Sequence, residues 1–456
     1  MTMADLRTSS DNAYSEVRQH ELRKTRMLMV DGSLSVNSHT AEGGISARVY
    51  QDGYWGFASA PGAGEQAARV SDRAHKNALT MARFGAKPAW VLPGDSYQGE
   101  HRFAGHTPLT PTQCVQQMAE LHAWCRQRFP QLKSTKILFA DEDHSKWLRT
   151  SHGGHSLSSI QRAQCYFFMI TEDAQGAPVE LYQSISGKGS LADLDLSVAT
   201  LAPVLERLHE HLMAKREAVA ARGGLHTVVL APELAGMLAH EAMGHPCEAD
   251  LVLGGAVTRD LVGKSVASEL VTMVDFAHSF QGRELMVPVY VDDEGVAARD
   301  AVLIQNGRLT EFMNSRETSA RMGLVPTGSA RAYGPHDEPL IRMRNTGILP
   351  GTQSMANMVA GVEDGYLLLK TSNGQADSTT EFMFGISLAY EIHQGKVGAA
   401  IRDTTLSGSA IKVLQSVDAV SNDMHWSCSG YCGKKQSMVV SMGGPALRAR
   451  AHLGGE

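Results

Sequence analysis

The segment His240-Glu241-Ala242-Met243-Gly244-His245 constrains this chain more than any other, because helix geometry resists bringing its two imidazoles together. A His followed at once by Glu suits a helical metal site. The imidazole binds the ion and the adjacent carboxylate works on metal-bound water. In such sites the second His normally lies four residues on, about 40° around the helix. Here it lies five on, which in a straight α-helix is about 140° away and would miss the metal. Gly244 is a weak helix residue, and Pro246 disfavours the α conformation at His245. The spacing therefore predicts a distorted helix end. Either it unwinds at Gly244 and His245 swings back, or it widens into a π-helix, whose repeat is i to i+5. Leu234, Leu238 and Glu241 share one stripe, where a carboxylate is costly to desolvate unless a cation or hydrogen bond meets it.

A catalytic zinc takes three protein ligands and leaves one position to water. Candidates for the third are Glu248, Asp250, His278, Glu381, His393, Cys428 and Cys432. Cys432 is attractive because Gly430-Tyr431-Cys432-Gly433-Lys434 allows close backbone approach, and Lys434 would favour the thiolate. Cys428 competes, and two reduced structural thiols are the plainer alternative.

Length and charge narrow the function classes. A chain of 456 residues suggests two domains, or one large domain with insertions. A net charge of −6 offers no basic footprint for nucleic acid. No charge-free apolar run approaches the roughly 20 residues that span a bilayer. The N-terminal residues do not read as a secretory signal. Six cysteines are sparse for a disulfide framework, so all are expected to be reduced thiols in a soluble, cytoplasmic protein.

Along the chain, Ile45–Tyr50, the turn at Asp52-Gly53 and Tyr54–Phe57 read as a hairpin. Ala67, Val70, Ala74 and Ala78 then fall on one helical face, and a second helix spans Pro111 to Arg128. Ile137–Ala140, Ala163–Thr171 and Pro178–Ser186 read as strands. Leucines at 201, 205, 208 and 212 predict a helix over Val198–Arg222, stopped by Gly223-Gly224. The second half opens with a strand at His226–Leu230 and the metal-binding helix, begun by Pro232. Strands follow at Val287–Val291, Ala301–Ile304, Leu309–Met313, Gly365–Thr371, Phe382–Ile392 and Val397–Asp403, with Asn306-Gly307 as a hairpin turn. The expected fold is α+β: an N-terminal α/β-type domain over 1–224, then a strand-rich domain over 225–456 carrying one metal-binding helix.

These motifs resemble the TldD/PmbA family, sometimes called modulators of DNA gyrase. His240 to His245 with Glu248 and Asp250 looks like the family's HExxxH segment, and Gly430 to Lys434 like the segment carrying its cysteine ligand. Asp292-Asp293-Glu294-Gly295, Arg342-Met343-Arg344-Asn345-Thr346 and Thr380-Glu381-Phe382-Met383-Phe384 are similar to landmarks between them. The resemblance implies a metallopeptidase of the TldD branch, with His240, His245 and Cys432 as zinc ligands and Glu241 as catalyst. It also implies a dimer, with itself or with a metal-free TldE-like subunit, that cuts small or unfolded peptides such as leader segments. Two features depart from the family pattern. Lys435-Gln436 stands where a glycine usually precedes the glutamine, and Pro246-Cys247 follows the second His.

The expected chemistry is Glu-assisted attack of metal-bound water on an amide. A thiolate ligand donates more charge than imidazole, so slow turnover is expected. Strand addition to an exposed sheet edge is the expected mode of peptide binding. A non-catalytic subunit with a structural metal is the second reading, which an intact Glu241 argues against. A redox role for Cys428 and Cys432 is weak, because three residues separate them rather than two.

Overall fold

The first half of the chain is organised by one long strand, which lies in an opening segment with strand signals but ahead of the hairpin that the sequence singled out. β1 (Tyr14–Val30) is buried on both faces over its first seven residues, among them Glu16, Arg18 and His20. Burial of that kind erases the polar–apolar alternation by which a half-buried strand is recognised. Its neighbours are β2 (Ser33–Gln51), β3 (Tyr54–Pro61), β4 (Gln98–Arg102), β5 (Ser134–Thr150), β6 (His155–Glu172) and β7 (Pro178–Lys188). The seven form one sheet in the order β3-β2-β1-β5-β6-β4, with β7 also on β6. Every pairing is antiparallel except β4 with β6. The computed structural model describes residues 14–93, 96–376 and 379–455. The reading of the N-terminal residues as lacking a secretory signal lies outside them.

The β2–β3 hairpin pairs Tyr50 with Trp55 and turns through Asp52 (φ 52°) and Gly53 (φ 80°). Helix α1 (Ala67–Ala82) buries Val70, Ala74 and Ala78. It lies so close that a side chain at Gly56 would run into the main chain of Ala74 and Ala78. Helix α2 (Pro111–Arg128) opens with a capping box between Thr110 and Gln113. Helix α3 (Val198–Arg216) buries Leu201, Leu205, Leu208 and Leu212 but stops before the expected Arg222. Val219 has left the helix to join the far sheet: its N–H donates to Ala400 O and its carbonyl accepts from Arg402 N–H, both at 2.9 Å. A tertiary ladder outcompetes the last helical turn.

From residue 224 onward the strands form separate sheets. The first contains β8 (Gly224–Leu230), Asp364–Ala376, Leu447–Leu453, Thr404–Ser409 and Glu381–His393, and the last of these pairs back on Asp364–Ala376. Five strands thus close into a ring. The second sheet has six strands, with Asn345–Ile348, Gln436–Gly444 and, at its edge, His425–Lys434. The segment 232–247 is packed between the two, its Leu234, Leu238, Ala239, Ala242 and Met243 sharing one core with Leu368, Phe384, Ile348 and Val440.

Two expected strands fall short. Val287–Val291 forms no ladder, because Pro288 lacks an N–H and the Asn345 side chain bonds both Val287 N and O, at 3.0 and 2.7 Å. Leu309–Met313 pairs only at Arg308–Leu309. Met313 turns instead to the end of the metal segment, exchanging backbone hydrogen bonds with Cys247 and Ala249.

Candidate metal centre

Helix α4 (Pro232–Met237) passes directly into a π-helix over Leu238–Gly244 and then a 3-10 turn over His245–Cys247. The i to i+5 closure is explicit: His245 N–H donates to His240 O. Of the two distortions the spacing allowed, widening is the one present. Gly244 stays helical (φ −63°, ψ −52°), and so does His245 (φ −59°, ψ −49°) despite the following proline. The local preference against helix before Pro246 is overridden in a segment whose Leu238, Ala239, His240, Ala242, Met243 and Gly244 are all buried. Gly244 is needed for space: a Cβ there would collide with Met343 Sδ.

The widened turn sets the His240 and His245 rings with centroids 5.3 Å apart at 78°. The strand His425–Lys434 brings in Cys432, whose Sγ is 3.1 Å from His245 Nε2. One ligand atom from each of His240, His245 and Cys432 lies within 4.8 Å of the others. Glu241 sits beside them, Oε2 3.7 Å from His245 Nε2 and Oε1 4.0 Å from His240 Nε2, with its side chain 23% exposed.

This donor set fits a metal ion. His240 is 1% exposed, yet neither ring nitrogen has a hydrogen-bond partner. Buried polar atoms are rarely left so, at a cost of about 1–3 kcal/mol each. His245 is oriented from behind: its Nδ1 meets Glu248 Oε2 at 3.1 Å, which frees Nε2 for an ion. Burial alone would raise the Cys432 thiol, but the neighbouring His240 and His245 imidazoles hold it at about 5. Burial alone would lower His245, but Cys432 and Glu248 raise it to about 10.

The other candidates for the third ligand are engaged elsewhere. Glu248 supports His245, and Asp250 binds Lys434. His278 stacks on Tyr290, and His393 pairs with Asp364 and Glu391. Glu381 begins a strand opposite Ser409. Cys428 is buried beside Arg162, its thiol pushed up by burial. Lys434, expected to favour the thiolate, places its ammonium on Glu248 (3.0 Å) and Asp250 (2.7 Å). Glu248 and Lys434 are thus supporting residues, in roles other than the candidate ligand and thiolate partner expected from the sequence. The signal available was the three-residue step from His245 to Glu248, which puts both on one helical face.

The departure at Lys435 has a structural counterpart. Lys434 pairs with Gln436 across the hairpin, so Lys435 alone makes the turn, at φ 58°. That left-handed conformation suits glycine and strains a lysine. The strand His425–Lys434, at the edge of its sheet, already has several carbonyls engaged by side chains. Its carbonyls at Cys428 and Gly430 accept from Arg162, and those at Cys432 and Lys434 from Arg342. A cavity of about 470 Å³ between the two halves is lined by Glu142, Arg162, Asp293, Tyr333 and Val439, and by none of His240, Glu241, His245 or Cys432. It is not the metal site. No helix among the described residues is long and apolar enough to cross a membrane.

Comparison with known proteins supplies the family. Residues 223–453 match the PmbA/TldA metallopeptidase C-terminal domain, and residues 15–78 match domain 1 of the same group. A metalloprotease of Methanothermobacter thermautotrophicus is 30% identical over 451 residues, covering 97% of this chain and 95% of the relative. A zinc metalloprotease TldD homolog of Saccharolobus solfataricus is 28% identical over 418 residues, covering 91% and 90%. The crystal structure of TldE from Thermococcus kodakarensis shares the fold, with a TM-score of 0.76 at 17% identity over 96% of each chain. With matches running nearly end to end, this α+β chain belongs to the PmbA/TldD family of metallopeptidases.

Proposed function

We propose that the chain is a zinc-dependent peptidase acting on small or unfolded peptides. His240, His245 and Cys432 hold the ion, and Glu241 is the general acid–base. The observation that carries this reading is the buried, doubly unpartnered His240 ring facing a second imidazole and a thiol held at about 5. A thiolate donor leans towards zinc over harder ions. Zinc held there supplies Lewis acidity towards water and the scissile carbonyl.

The protein's own groups do the rest. Glu241, at the partly open side of the cluster, takes a proton from the attacking water and returns it to the leaving amine. Glu248 fixes the His245 ring, and Lys434 in turn holds Glu248. The electron-rich thiolate makes slow turnover the expected outcome. Division of the chain at residue 224, and a dimer with itself or with a TldE-like subunit, belong to the same reading.

The test is Glu241→Gln. Hydrolysis of an unstructured peptide should fall by about 10²–10⁴-fold, the usual worth of a general base, with bound zinc unchanged. Retained hydrolysis would sink the assignment of Glu241. Zinc bound with no hydrolysis by the wild type, alone or with a co-encoded relative, would favour a non-catalytic subunit.

A further inference from the structure

The strand that carries Cys432 is poorly placed to hold a metal ligand unaided. His425–Lys434 lies at the edge of its sheet, with a ladder on one side only, towards Gln436–Gly444. That ladder slips between Ser427 and Gly430, so residues 428 and 429 have no partner across it. Gly430 and Gly433, on either side of Cys432, lack side chains to pack, and a Cβ on either would meet open space. A metal site nevertheless needs its ligand held to within about 0.5 Å.

We infer that Arg162, on β6 in the first half of the chain, is a residue that positions Cys432 for the metal, acting through the main chain of the strand just before it. The inference rests on the reading of Cys432 as a ligand. Arg162 is 3% exposed and reaches the slipped region from behind. Its Nη1 donates to Cys428 O at 2.7 Å and reaches Gly430 O at 3.4 Å. Its guanidinium lies over the ring of Tyr431, 4.6 Å from the centroid. Its Nε donates to Glu142 Oε1 at 3.2 Å, and Glu142 is its direct cross-strand partner on β5. The Tyr431 hydroxyl donates to the same carboxylate at 2.7 Å. Ser186 of β7 completes the grip by accepting from Cys428 N–H at 3.1 Å.

Three consecutive strands of the first sheet therefore hold the residues just before Cys432. Arg342 takes the Cys432 carbonyl itself at 2.6 Å. The planar guanidinium of Arg162 suits this because it serves two carbonyls, a carboxylate and a ring at once. The metal centre is then completed by a part of the chain that contributes no ligand to it.

The experiment loads metal-free protein with cobalt(II) alone and reads the thiolate-to-cobalt charge-transfer absorption. Affinity is measured by competition with a chelator. In the wild type the band should be present, and in Cys432→Ser absent. Arg162→Met, folded by circular dichroism, should bind cobalt about 10- to 100-fold more weakly, as for loss of other ligand-orienting partners, with a diminished band per bound ion. Arg162→Lys should recover part of both. If Arg162→Met does not fold, Tyr431→Phe replaces it: removing the hydroxyl that ties the strand to Glu142 should weaken the band to a smaller degree. A band and an affinity equal to wild type in the folded variant would overturn the inference alone. A wild type without the band would overturn the ligand reading, and this inference with it.

Discussion

Two buried clusters of ionisable groups in this molecule differ in how their polar atoms are answered. One joins the first sheet to the segment after residue 290. Arg48 lies against Glu16 (2.9 Å) and Glu294, Lys146 against Asp293 (2.7 Å), and Arg316 N–H against Glu294 (2.7 Å). The other is the candidate metal centre, where the His240 ring nitrogens lack a hydrogen-bond partner and Cys432 and His245 face one another. In the first cluster charge is answered by charge from within the chain, so the cluster is a structural joint. In the second, both His240 ring nitrogens are left without a hydrogen-bond partner, the opening that the proposed ion would fill.

Three measurements would break or sharpen that contrast. The largest effect is expected at the joint. Glu294→Ala leaves Arg48 with one carboxylate fewer in a buried site, and loss of a buried partner costs about 3–5 kcal/mol. The denaturation midpoint should fall, while zinc bound per folded molecule stays the same. A fall in zinc content of the folded fraction would mean the clusters are coupled.

Next is Glu248→Gln. It removes the carboxylate behind His245 without changing volume, and should weaken zinc binding by about 10- to 100-fold. Unchanged affinity would show that His245 needs no such support.

The smallest effect is a titration. In metal-free protein the Cys432 thiol is depressed to about 5, so its stabilising contribution is present above the unfolded thiol range near about 8.5 and is lost as pH falls through 5. His245 is raised to about 10, so its contribution is present below about 6.5 and is lost as pH rises through 10. The ultraviolet thiolate absorbance of wild type minus Cys432→Ser should therefore step near pH 5. Zinc uptake at neutral pH should release about one proton, the one on His245. A step near pH 9 would contradict the ion pair.

Much of this architecture was readable beforehand, and the failures share a cause. Helix α2 and the hairpin at Asp52-Gly53 obeyed local rules, a capping box and a left-handed turn, and appeared where the sequence placed them. β1 was not singled out because Glu16, Arg18 and His20 are buried against charges remote in sequence. α3 ended early for the same kind of reason, as Val219 found a partner at Ala400. At the site, the alternatives for the distorted helix and for the third ligand were both written in the sequence. The choice between them was not.

The order of residues by itself determined that a helix carrying His240 and His245 must depart from α geometry, and that a thiol flanked by glycines was available to join them. Only the tertiary structure decided the rest: that the helix widens rather than unwinds, that His245 stays helical before Pro246, and that Cys432 rather than Cys428 meets the imidazoles. The reason is that spacing acts through bonds within a turn or two, whereas these choices turn on walls and partners, Met343 and Arg162 among them, that only the fold brings near.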